Sequence, residues 1–492
     1  MTAPRPFAIE HLESRELLAA GGLEFGFAIG TNGGAEAIAA QATDAAGNLY
    51  VAGTIGSQPV DFNPSPRKTF TLTPGGANRA FLAKYTPAGG LVWARLVPTA
   101  TGGAVTLADV AIDRRTGDLL VVGDVTGSVV LDTRAGGAVS LASDSGSSDG
   151  FWGRVDPGTG VFSFATRGTS AEEADHANRI DSDAAGNVYI TGSYGWTIIH
   201  DGDLYEQSAG YLAKFNAKGR FAWSRGWRPA ANFVSAPMPT ALAVTADGQA
   251  YVGGVVAVGT EKADFDRDAA TTNDQLTGVT AFLASYDTAG TFQFVGGLKF
   301  PGPNLNGNNP RLTDLATDAA GNVVAVGSFE GVIDFNFSSR IFNLGTAGAG
   351  RDGFAAKYAR TGKLVFANQV GADAEASGED SASSVAVDAQ GYIYAGGTFI
   401  GLTRFSSTFR FRSDNDQDGF IAKYQANGTL VTAWQFDGDA TDDIRFLAAG
   451  PGKAGPLFAS GTLRASLDID PSPAQRFLRS ADWTDWFTVK LV

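Results

Sequence analysis

Seven short apolar segments that each end in glycine recur at nearly regular intervals along the 492-residue chain. Their last glycines lie 70, 69, 62, 73, 70 and 64 residues apart, at Gly53, Gly123, Gly192, Gly254, Gly327, Gly397 and Gly461. Self-similarity at a fixed period is typical of repeat architectures, in which one supersecondary unit is stacked several times. The sequence therefore predicts one array of units of about 68 residues, where length alone would suggest about three domains.

Each unit carries the pattern of four short strands. The glycine-ending segment follows an Asp-x-x-Gly turn in several units, as at Asp44 to Gly47 and Asp183 to Gly186. Such turns reverse the chain between antiparallel strands. A variable loop leads to a third strand of the form GFIAKY at 419–424, and a short turn leads to a fourth strand of the form Gly-x-x-x-aromatic, as at Gly160 to Phe164. The unit is therefore predicted to be a four-stranded antiparallel sheet.

The two ends of the chain complement each other. The final repeat stops after its third strand, WFTVKL at 486–491, while Gly21 to Phe25 has the form of a fourth strand before any first strand. The sequence thus predicts an all-β, seven-bladed propeller with four antiparallel strands per blade, closed by an N-terminal strand that completes the last blade. The expected divisions are a leader at 1–20 and one propeller at 21–492, with a closing strand at 21–30 and blades at about 38–99, 104–169, 174–229, 238–300, 309–371, 380–438 and 442–492.

Four segments carry two family resemblances. DAAGNVYITGS at 183–193, VDFNPSP at 60–66 and GEDSASSVAVD at 378–388 resemble the SBBP-type beta-propeller repeat, which implies a secreted or surface-exposed propeller without a common activity. HLESRELLAA at 11–20 resembles the Leu-Glu-x-Arg-x-Leu-Leu export signal of planctomycete cell-surface proteins, with Ser14 where proline is commoner. These resemblances imply an extracellular or cell-surface location.

Composition excludes several classes of function. The net charge of −14 disfavours nucleic acid as a partner. The chain contains no run of 18 apolar residues, so no transmembrane segment is predicted. The absence of cysteine excludes thiolate catalysis and disulfides. No Gly-x-Ser-x-Gly, phosphate-loop or His-Glu-x-x-His motif occurs, so no catalytic residue is assigned.

Two aspartate runs suggest calcium as a possible cofactor. Alternating carboxylates followed by glycine resemble the first half of a calcium loop, and the candidate ligands are Asp414, Asp416 and Asp418 before Gly419. Asp264, Asp266 and Asp268 are a second candidate set, which has the spacing without the glycine. Position 425, where such a loop would carry glutamate, is Gln425. The alternative for both runs is a solvated acidic hairpin with Asx turns.

The loops between units are acidic, and His176 lies in one of them. A rim of carboxylates at one mouth of the channel would attract a cation or a basic partner. Its predicted members are Glu172, Glu173, Asp175, His176, Glu379, Asp380, Asp442 and Asp443. The alternative is a solvated loop in which these residues have no joint role.

Residues that recur in several units are expected to be structural, because a catalytic group is normally needed once. Phe62 and Phe335 are predicted to fill the space between neighbouring sheets. The third-strand lysines, expected to make contacts between blades, are Lys84, Lys214, Lys357, Lys423 and Lys490.

The function predicted from these features is an exported, monomeric, non-catalytic binding or display module at the cell surface. Its loops between second and third strands would bind a protein or glycan. One alternative is a propeller enzyme, either a polysaccharide lyase or hydrolase or a metal-dependent lactonase, with its site at the acidic channel mouth. The other is a calcium-stabilised structural component of a surface or matrix.

Overall fold

A computed structural model describes most of the chain between residues 23 and 492. The described ranges are 23–30, 36–75, 78–99, 102–132, 138–143, 147–168, 175–194, 197–200, 203–206, 209–229, 237–256, 262–266, 275–277, 279–299, 310–346, 350–372, 378–406, 409–452, 455–470, 476–480 and 484–492. Within these ranges the chain forms 41 β-strands and no helix, so the described residues contain no helix that could cross a membrane. The predicted leader at 1–20 lies outside them.

The strands are short, and most have between two and nine residues. In chain order they begin with β1 (Leu23–Ile29), β2 (Ala37–Thr43), β3 (Leu49–Ile55), β4 (Val60–Asp61), β5 (Thr71–Leu72), β6 (Arg79–Tyr85), β7 (Leu91–Leu96), β8 (Ala104–Ile112), β9 (Leu119–Thr126), β10 (Ser128–Asp132), β11 (Ala138–Ala142), β12 (Ser148–Val155), β13 (Phe162–Arg167), β14 (Asp175–Ser182), β15 (Val188–Tyr194), β16 (Thr197–His200), β17 (Asp203–Glu206), β18 (Ala209–Phe215), β19 (Phe221–Gly226) and β20 (Arg228–Pro229). They continue with β21 (Met238–Val244), β22 (Ala250–Val255), β23 (Lys262–Asp264), β24 (Gln275–Thr277), β25 (Val279–Tyr286), β26 (Phe292–Lys299), β27 (Arg311–Thr317), β28 (Val323–Phe329), β29 (Val332–Asp334), β30 (Asn343–Gly345), β31 (Asp352–Tyr358), β32 (Leu364–Ala372), β33 (Ser381–Val387), β34 (Ile393–Arg404), β35 (Arg410–Tyr424), β36 (Leu430–Phe436), β37 (Phe446–Ala449), β38 (Leu457–Leu463), β39 (Ser466–Asp468), β40 (Phe477–Arg479) and β41 (Asp485–Leu491).

Antiparallel pairing assembles these strands mainly into four-stranded arrangements. Four separate sheets have the orders β2-β3-β6-β7, β8-β9-β12-β13, β14-β15-β18-β19 and β37-β38-β41-β1. A six-stranded sheet contains β21-β22-β25-β26 and continues into β29-β30, while an eight-stranded sheet contains β27-β28-β31-β32 joined to β33-β34-β35-β36. The first strands touch in a cycle, in which β2, β8, β14, β21, β27, β33 and β37 each contact the next and β37 contacts β2. The chain is therefore an all-β propeller, as predicted.

The turns predicted between first and second strands are present, and the aspartate side chain stabilises them by accepting backbone hydrogen bonds. Asp44 Oδ1 accepts hydrogen bonds from the backbone N–H groups of Ala46 and Asn48, each at 2.9 Å, and the N–H of Gly47 donates to the Asp44 carbonyl at 2.9 Å. Each of the longer first strands then carries a bulge, as between Leu312 and Asp314, where one extra residue faces its partner strand. The bulge bends the strand and turns the following side chain toward the ring axis.

Neighbouring sheets are held together by the recurring residues of the third and fourth strands. The fourth-strand indole of Trp93 packs on Gly160 in the turn of the next sheet and donates to Pro157 O at 3.1 Å. Lys84 Nζ donates to the same carbonyl at 3.0 Å. Equivalent lysine bonds to the next turn come from Lys214, Lys357 and Lys490, whereas Lys423 lies over the rings of Tyr392 and Tyr394. The predicted contacts between blades are thus present for four of the five lysines, whereas the rings that Lys423 contacts belong to its own sheet.

The same contacts join the two ends of the chain. Strand β1 pairs with β41 from Leu23↔Leu491 to Ile29↔Trp486. The Phe25 ring covers Gly89, which has φ +79° and would place a Cβ 3.0 Å from that ring. Lys490 Nζ donates to Pro87 O at 2.8 Å. The N-terminal segment therefore completes the last sheet and packs it against the first, as the sequence predicted.

A small hairpin between second and third strands occupies the groove between neighbouring sheets. Its buried side carries Phe62 or Phe335, both fully buried as predicted, and the hydroxyl groups of Tyr85 and Tyr358 donate to their carbonyls. The hairpins also pair with the end of the preceding fourth strand, at Arg228↔Asp264, Lys299↔Asp334, Gly371↔Arg404 and Gly438↔Leu467. Each such hairpin therefore connects two sheets.

Candidate functional site

The first strands enclose a polar cavity on the axis of the ring. Its volume is about 280 Å³, and residues from all seven of these strands line it. Its charged groups are Asp109, Arg179, Asp181, Asp314 and Arg445. A concave site with a few convergent polar groups is the default place to look for ligand binding or catalysis.

Two aspartates of this cavity follow the bulges of β8 and β27. Asp109 Oδ2 accepts from the backbone N–H of Ile180 at 3.0 Å, and Asp314 Oδ2 accepts from the N–H of Val385 at 2.9 Å. Both donors belong to the first strand of the next sheet. Burial raises the pKa of Asp109 to about 7, although the Arg179 guanidinium and the backbone donors act in the opposite direction.

The pKa of Asp314 is raised as well, again mainly by burial. Carboxyl groups with raised pKa values in a cavity are typical of general acids. Here, however, both carboxylates accept backbone hydrogen bonds that join the first strands of adjacent sheets. Asp181 repeats the arrangement, because its Oδ2 accepts from Val244 N at 2.7 Å. The recurrence of this bond in several sheets favours a structural role.

These channel residues were not among the sites predicted from the sequence. Each lies inside a short apolar strand, as in LADVAI at 107–112 and TDLAT at 313–317. The available signal was an aspartate at the same distance before the first turn in different units. Recognising it requires the position of the bulge, because one extra residue reverses which side chains face the axis.

The predicted acidic rim is mostly inside the molecule. Asp175, Asp380, Asp442 and Asp443 are at least nine-tenths buried, whereas Glu379 is exposed and His176 is partly exposed. Glu172 and Glu173 lie outside the described residues. The carboxylates are buried because the segments that enter the first strands run beneath the hairpins that fill the grooves between sheets.

The buried members of this set have individual partners. Asp380 accepts from Thr403 Oγ1 at 2.9 Å and from Ile400 N at 3.3 Å, and burial raises its pKa to about 7. Asp443 accepts from Arg445 Nε at 2.7 Å. His176 Nδ1 lies 2.8 Å from Asp124 Oδ2. These contacts are separate pairs at different places in the ring, and of the three only His176 with Asp124 joins two sheets.

The two aspartate runs also have defined surroundings. Residues 413–416 bulge out of β35 opposite Gly401, and the side chain of Asp414 lies outside the described residues. Asp416 is partly buried, and Asp418 is fully buried at the start of the regular pairing. Asp264 Oδ1 accepts from Asp266 N at 3.2 Å in an Asx turn, and Asp268 lies outside the described residues. In the described part of the chain, no three His, Asp or Glu side chains form a group that could hold a metal ion.

The outer faces of the hairpins are apolar in several sheets. On the β29–β30 hairpin, Ile333 and Phe335 point inward with no exposed surface, while Ile341 is 71% and Phe342 is 41% exposed. Val332 of the same hairpin is 45% exposed. Other hairpins expose Phe70, Val130 and Phe477. Exposed large apolar side chains that cluster on one element indicate an interaction surface.

Comparison with known proteins gives no family. No family model matches the chain, and no curated protein matches it. Among solved structures, it is similar to the quinohemoprotein alcohol dehydrogenase from Comamonas testosteroni, with 10% identity, a TM-score of 0.41, and coverage of 94% of this chain and 76% of that chain. Sqt1 from Chaetomium thermophilum is 11% identical with a TM-score of 0.36, covering 88% and 96%, and a protein of unknown function from Bacteroides caccae is 11% identical with a TM-score of 0.26, covering 58% and 89%. At these scores the likeness supports no statement about activity.

Proposed function

We propose that this chain is an exported, non-catalytic, seven-bladed propeller whose hairpins bind a protein or glycan at the cell surface. The blade count is supported by the cycle of first strands and by the pairing of β1 with β41. Export is supported by the resemblance of residues 11–20 to a cell-surface export signal.

The binding role is supported by hairpins that have one buried side and one exposed apolar side. Strands alternate in direction within each blade, so all connections between second and third strands emerge on the same face of the ring. The β29–β30 hairpin is fixed from below by buried Phe335, whose carbonyl accepts from Tyr358 at 3.0 Å. Its outer side presents Val332, Ile341 and Phe342. Side chains on such a rigid support lose little entropy when they bind a partner.

The test is a binding screen with the purified chain against cell-surface proteins and glycans. The double variant Ile341→Ser and Phe342→Ser is expected to weaken binding at least tenfold, because central apolar contacts dominate binding energy. The matched control is Val365→Ser, since Val365 is 49% exposed but lies on a fourth strand. Equal binding by wild type and the double variant would refute the hairpin surface, and secretion that does not depend on residues 11–20 would refute the export route.

A catalytic alternative has one observation in its favour, the raised pKa values of Asp109 and Asp314 beside Arg179 in the cavity. It would be a lyase, hydrolase or lactonase that uses the channel. Turnover of a polysaccharide or lactone that is abolished by Asp314→Asn but retained in the double hairpin variant would favour this alternative over the binding role.

A further inference from the structure

The hairpins of four consecutive sheets lie side by side on one face of the ring. Their sheets contain the first strands β27, β33, β37 and β2, which follow one another in the cycle around the axis. The four hairpins, together called the hairpin arc, are β29–β30, the outer part of β34–β35 at 402–406 and 409–412, β39–β40 and β4–β5. A ligand that is long enough can therefore contact several of them at once.

Exposed cationic side chains lie on all four hairpins of the arc. Lys68 and Arg340 occupy equivalent places near two hairpin tips, and Arg67 precedes Lys68. Arg412 and Arg479 occupy equivalent places in two returning strands. None of these five cations forms an ion pair with another described residue. The arc thus carries unpaired positive charge on a chain whose net charge is −14.

The carboxylates of the same hairpins are engaged by their own backbone. Asp61 Oδ1 accepts from the N–H of Phe70 at 2.7 Å and from that of Asn63 at 2.9 Å. Asp334 and Asp468 accept from the corresponding groups of their own hairpins at 2.9 to 3.1 Å. In the described part of the arc no carboxylate is exposed. The arc therefore presents positive charge to solvent, and an anionic partner is complementary to it.

Negative charge on this face lies on the connections that lead from fourth strands into first strands. Exposed carboxylates there include Glu379, Asp437 and Asp439. These connections run toward the axis, because the first strands surround it. The sign of the charge thus changes between the hairpins and the axis, and a polyanion is confined to the hairpins.

The cations of the arc alternate with exposed apolar side chains. In β40, Phe477 and Arg479 are two residues apart and project from the same side of the strand, and Phe477 is 51% exposed. The same spacing separates two further pairs, Lys68 with Phe70 and Arg340 with Phe342. A matching ligand carries an anionic group beside an apolar face and repeats this unit along its length. Nucleic acids and densely sulfated glycans fit less well, because their charges leave little apolar surface for the rings.

We propose that the hairpin arc binds an acidic polysaccharide built of uronic acids, an inference that rests on the proposed binding role of the hairpins. Each uronate ring has one carboxylate, which a guanidinium group can bind with two parallel hydrogen bonds. The C–H face of the same ring packs on an exposed phenylalanine. Because the polymer repeats this unit, it engages several hairpins together, and linked weak contacts give a much higher overall affinity than one contact alone.

The test uses the full chain and polygalacturonate in buffer that contains a chelator, which prevents the polymer from gelling with divalent ions. Isothermal titration is expected to show saturable binding that weakens several-fold between about 50 and 300 mM NaCl, since salt screens exposed charges. The fully methyl-esterified polymer has the same backbone without the charge and is expected to bind at least tenfold more weakly. Equal binding of the two polymers would overturn the proposal.

A triple variant identifies the surface. Lys68→Gln, Arg340→Gln and Arg479→Gln together remove one exposed cation from each of three hairpins. Binding of polygalacturonate is expected to weaken by about tenfold, because the three ion pairs with the ligand are lost. The melting temperature is expected to change by less than about 1 °C, because these side chains are exposed. Binding as tight as that of the wild type would overturn the proposal.

The matched control is the triple variant Lys218→Gln, Arg220→Gln and Lys363→Gln. It changes the net charge by the same amount, and its three exposed cations lie in turns between third and fourth strands, on the opposite face of the ring. It is expected to bind polygalacturonate like the wild type, and an equal loss in both triple variants would overturn the assignment to the arc.

A second polyanion separates this proposal from the broader binding role. Binding of poly-glutamate without binding of polygalacturonate would overturn the proposal in favour of an acidic protein partner. If polygalacturonate does not bind but Ile341→Ser with Phe342→Ser still weakens binding of another cell-surface partner, only the acidic polysaccharide is refuted and the hairpin surface remains.

Discussion

The Phe25→Ala substitution tests whether the N-terminal strand holds the ring closed. Phe25 is 6% exposed and lies with its ring 6.1 Å from that of Phe27 and 6.3 Å from that of Phe458. It also covers the turn at Gly89 in the first sheet. Truncating it removes contacts within the last sheet and between the last sheet and the first.

The expected cost follows from the buried ring. Replacing a buried phenylalanine with alanine costs about 3–5 kcal/mol. The entropy of unfolding, about 2.1 cal/mol/K per residue, amounts to roughly 1 kcal/mol/K for a chain of this length. The melting temperature is therefore expected to fall by about 3–5 °C. Phe70→Ala, which truncates a ring that is 41% exposed, is expected to change it by less than about 1 °C.

Hydrogen exchange shows where the stability is lost. Strand β41, at residues 485–491, pairs with β1 on one side and β38 on the other. Loosening β1 exposes one edge of β41, so its amides are expected to exchange faster in Phe25→Ala, while those of a distant strand such as β22 keep their protection. Wild-type melting together with unchanged exchange at 485–491 would refute a role of this strand in closing the ring.

Three further predictions concern the turns, the lysines and the channel. Gly160→Ala is expected to destabilise more than Gly75→Ala in calorimetric melting, because both glycines have positive φ but only a Cβ at Gly160 would overlap an indole; equal effects would contradict the packing argument. Lys357→Met removes a buried ion pair with Asp318 at 2.8 Å and is expected to cost about 3–5 kcal/mol in urea unfolding, whereas similar stability to wild type would contradict it. Burial raises the pKa of Asp109 to about 7 in the folded chain, so its contribution to stability is complete below about pH 4 and is lost as the pH rises through about 7. Asp109→Asn is therefore expected to reduce the change in melting temperature between pH 4.5 and 8. An unchanged pH profile would show that Asp109 does not cause the pH dependence.

The sequence was most informative where one residue type has the same task in every unit. The lysine of the third strand and the glycine of the following turn recur because each sheet meets the next in the same way, as Lys84 and Gly160 do. Such contacts have a period that can be read from the chain. The fold and its closure could therefore be predicted from the spacing and the residue pattern of these recurring segments.

The charged sites could not be predicted in this way, because they depend on register and on contacts between units. Asp109 faces the channel only because a bulge shifts its strand by one residue. Asp418 and Asp442 are 24 residues apart in sequence and meet only because the entry to one sheet lies along the third strand of the previous one. The run at 414–418 was predicted from the spacing of its aspartates, whereas Asp442, which lies beside Asp418, belongs to another unit.

The hairpins combine two tasks that the fold keeps on opposite sides of one element. Their inner side, with Ile333 and Phe335, is buried and connects neighbouring sheets, so changes there are expected to lower stability. On their outer side, Ile341 and Phe342 are 71% and 41% exposed, so truncating these side chains is expected to cost less stability. If the hairpins bind as proposed, substitutions on the outer side are expected to alter binding while the ring stays intact, and one rigid scaffold would carry binding surfaces that differ from hairpin to hairpin.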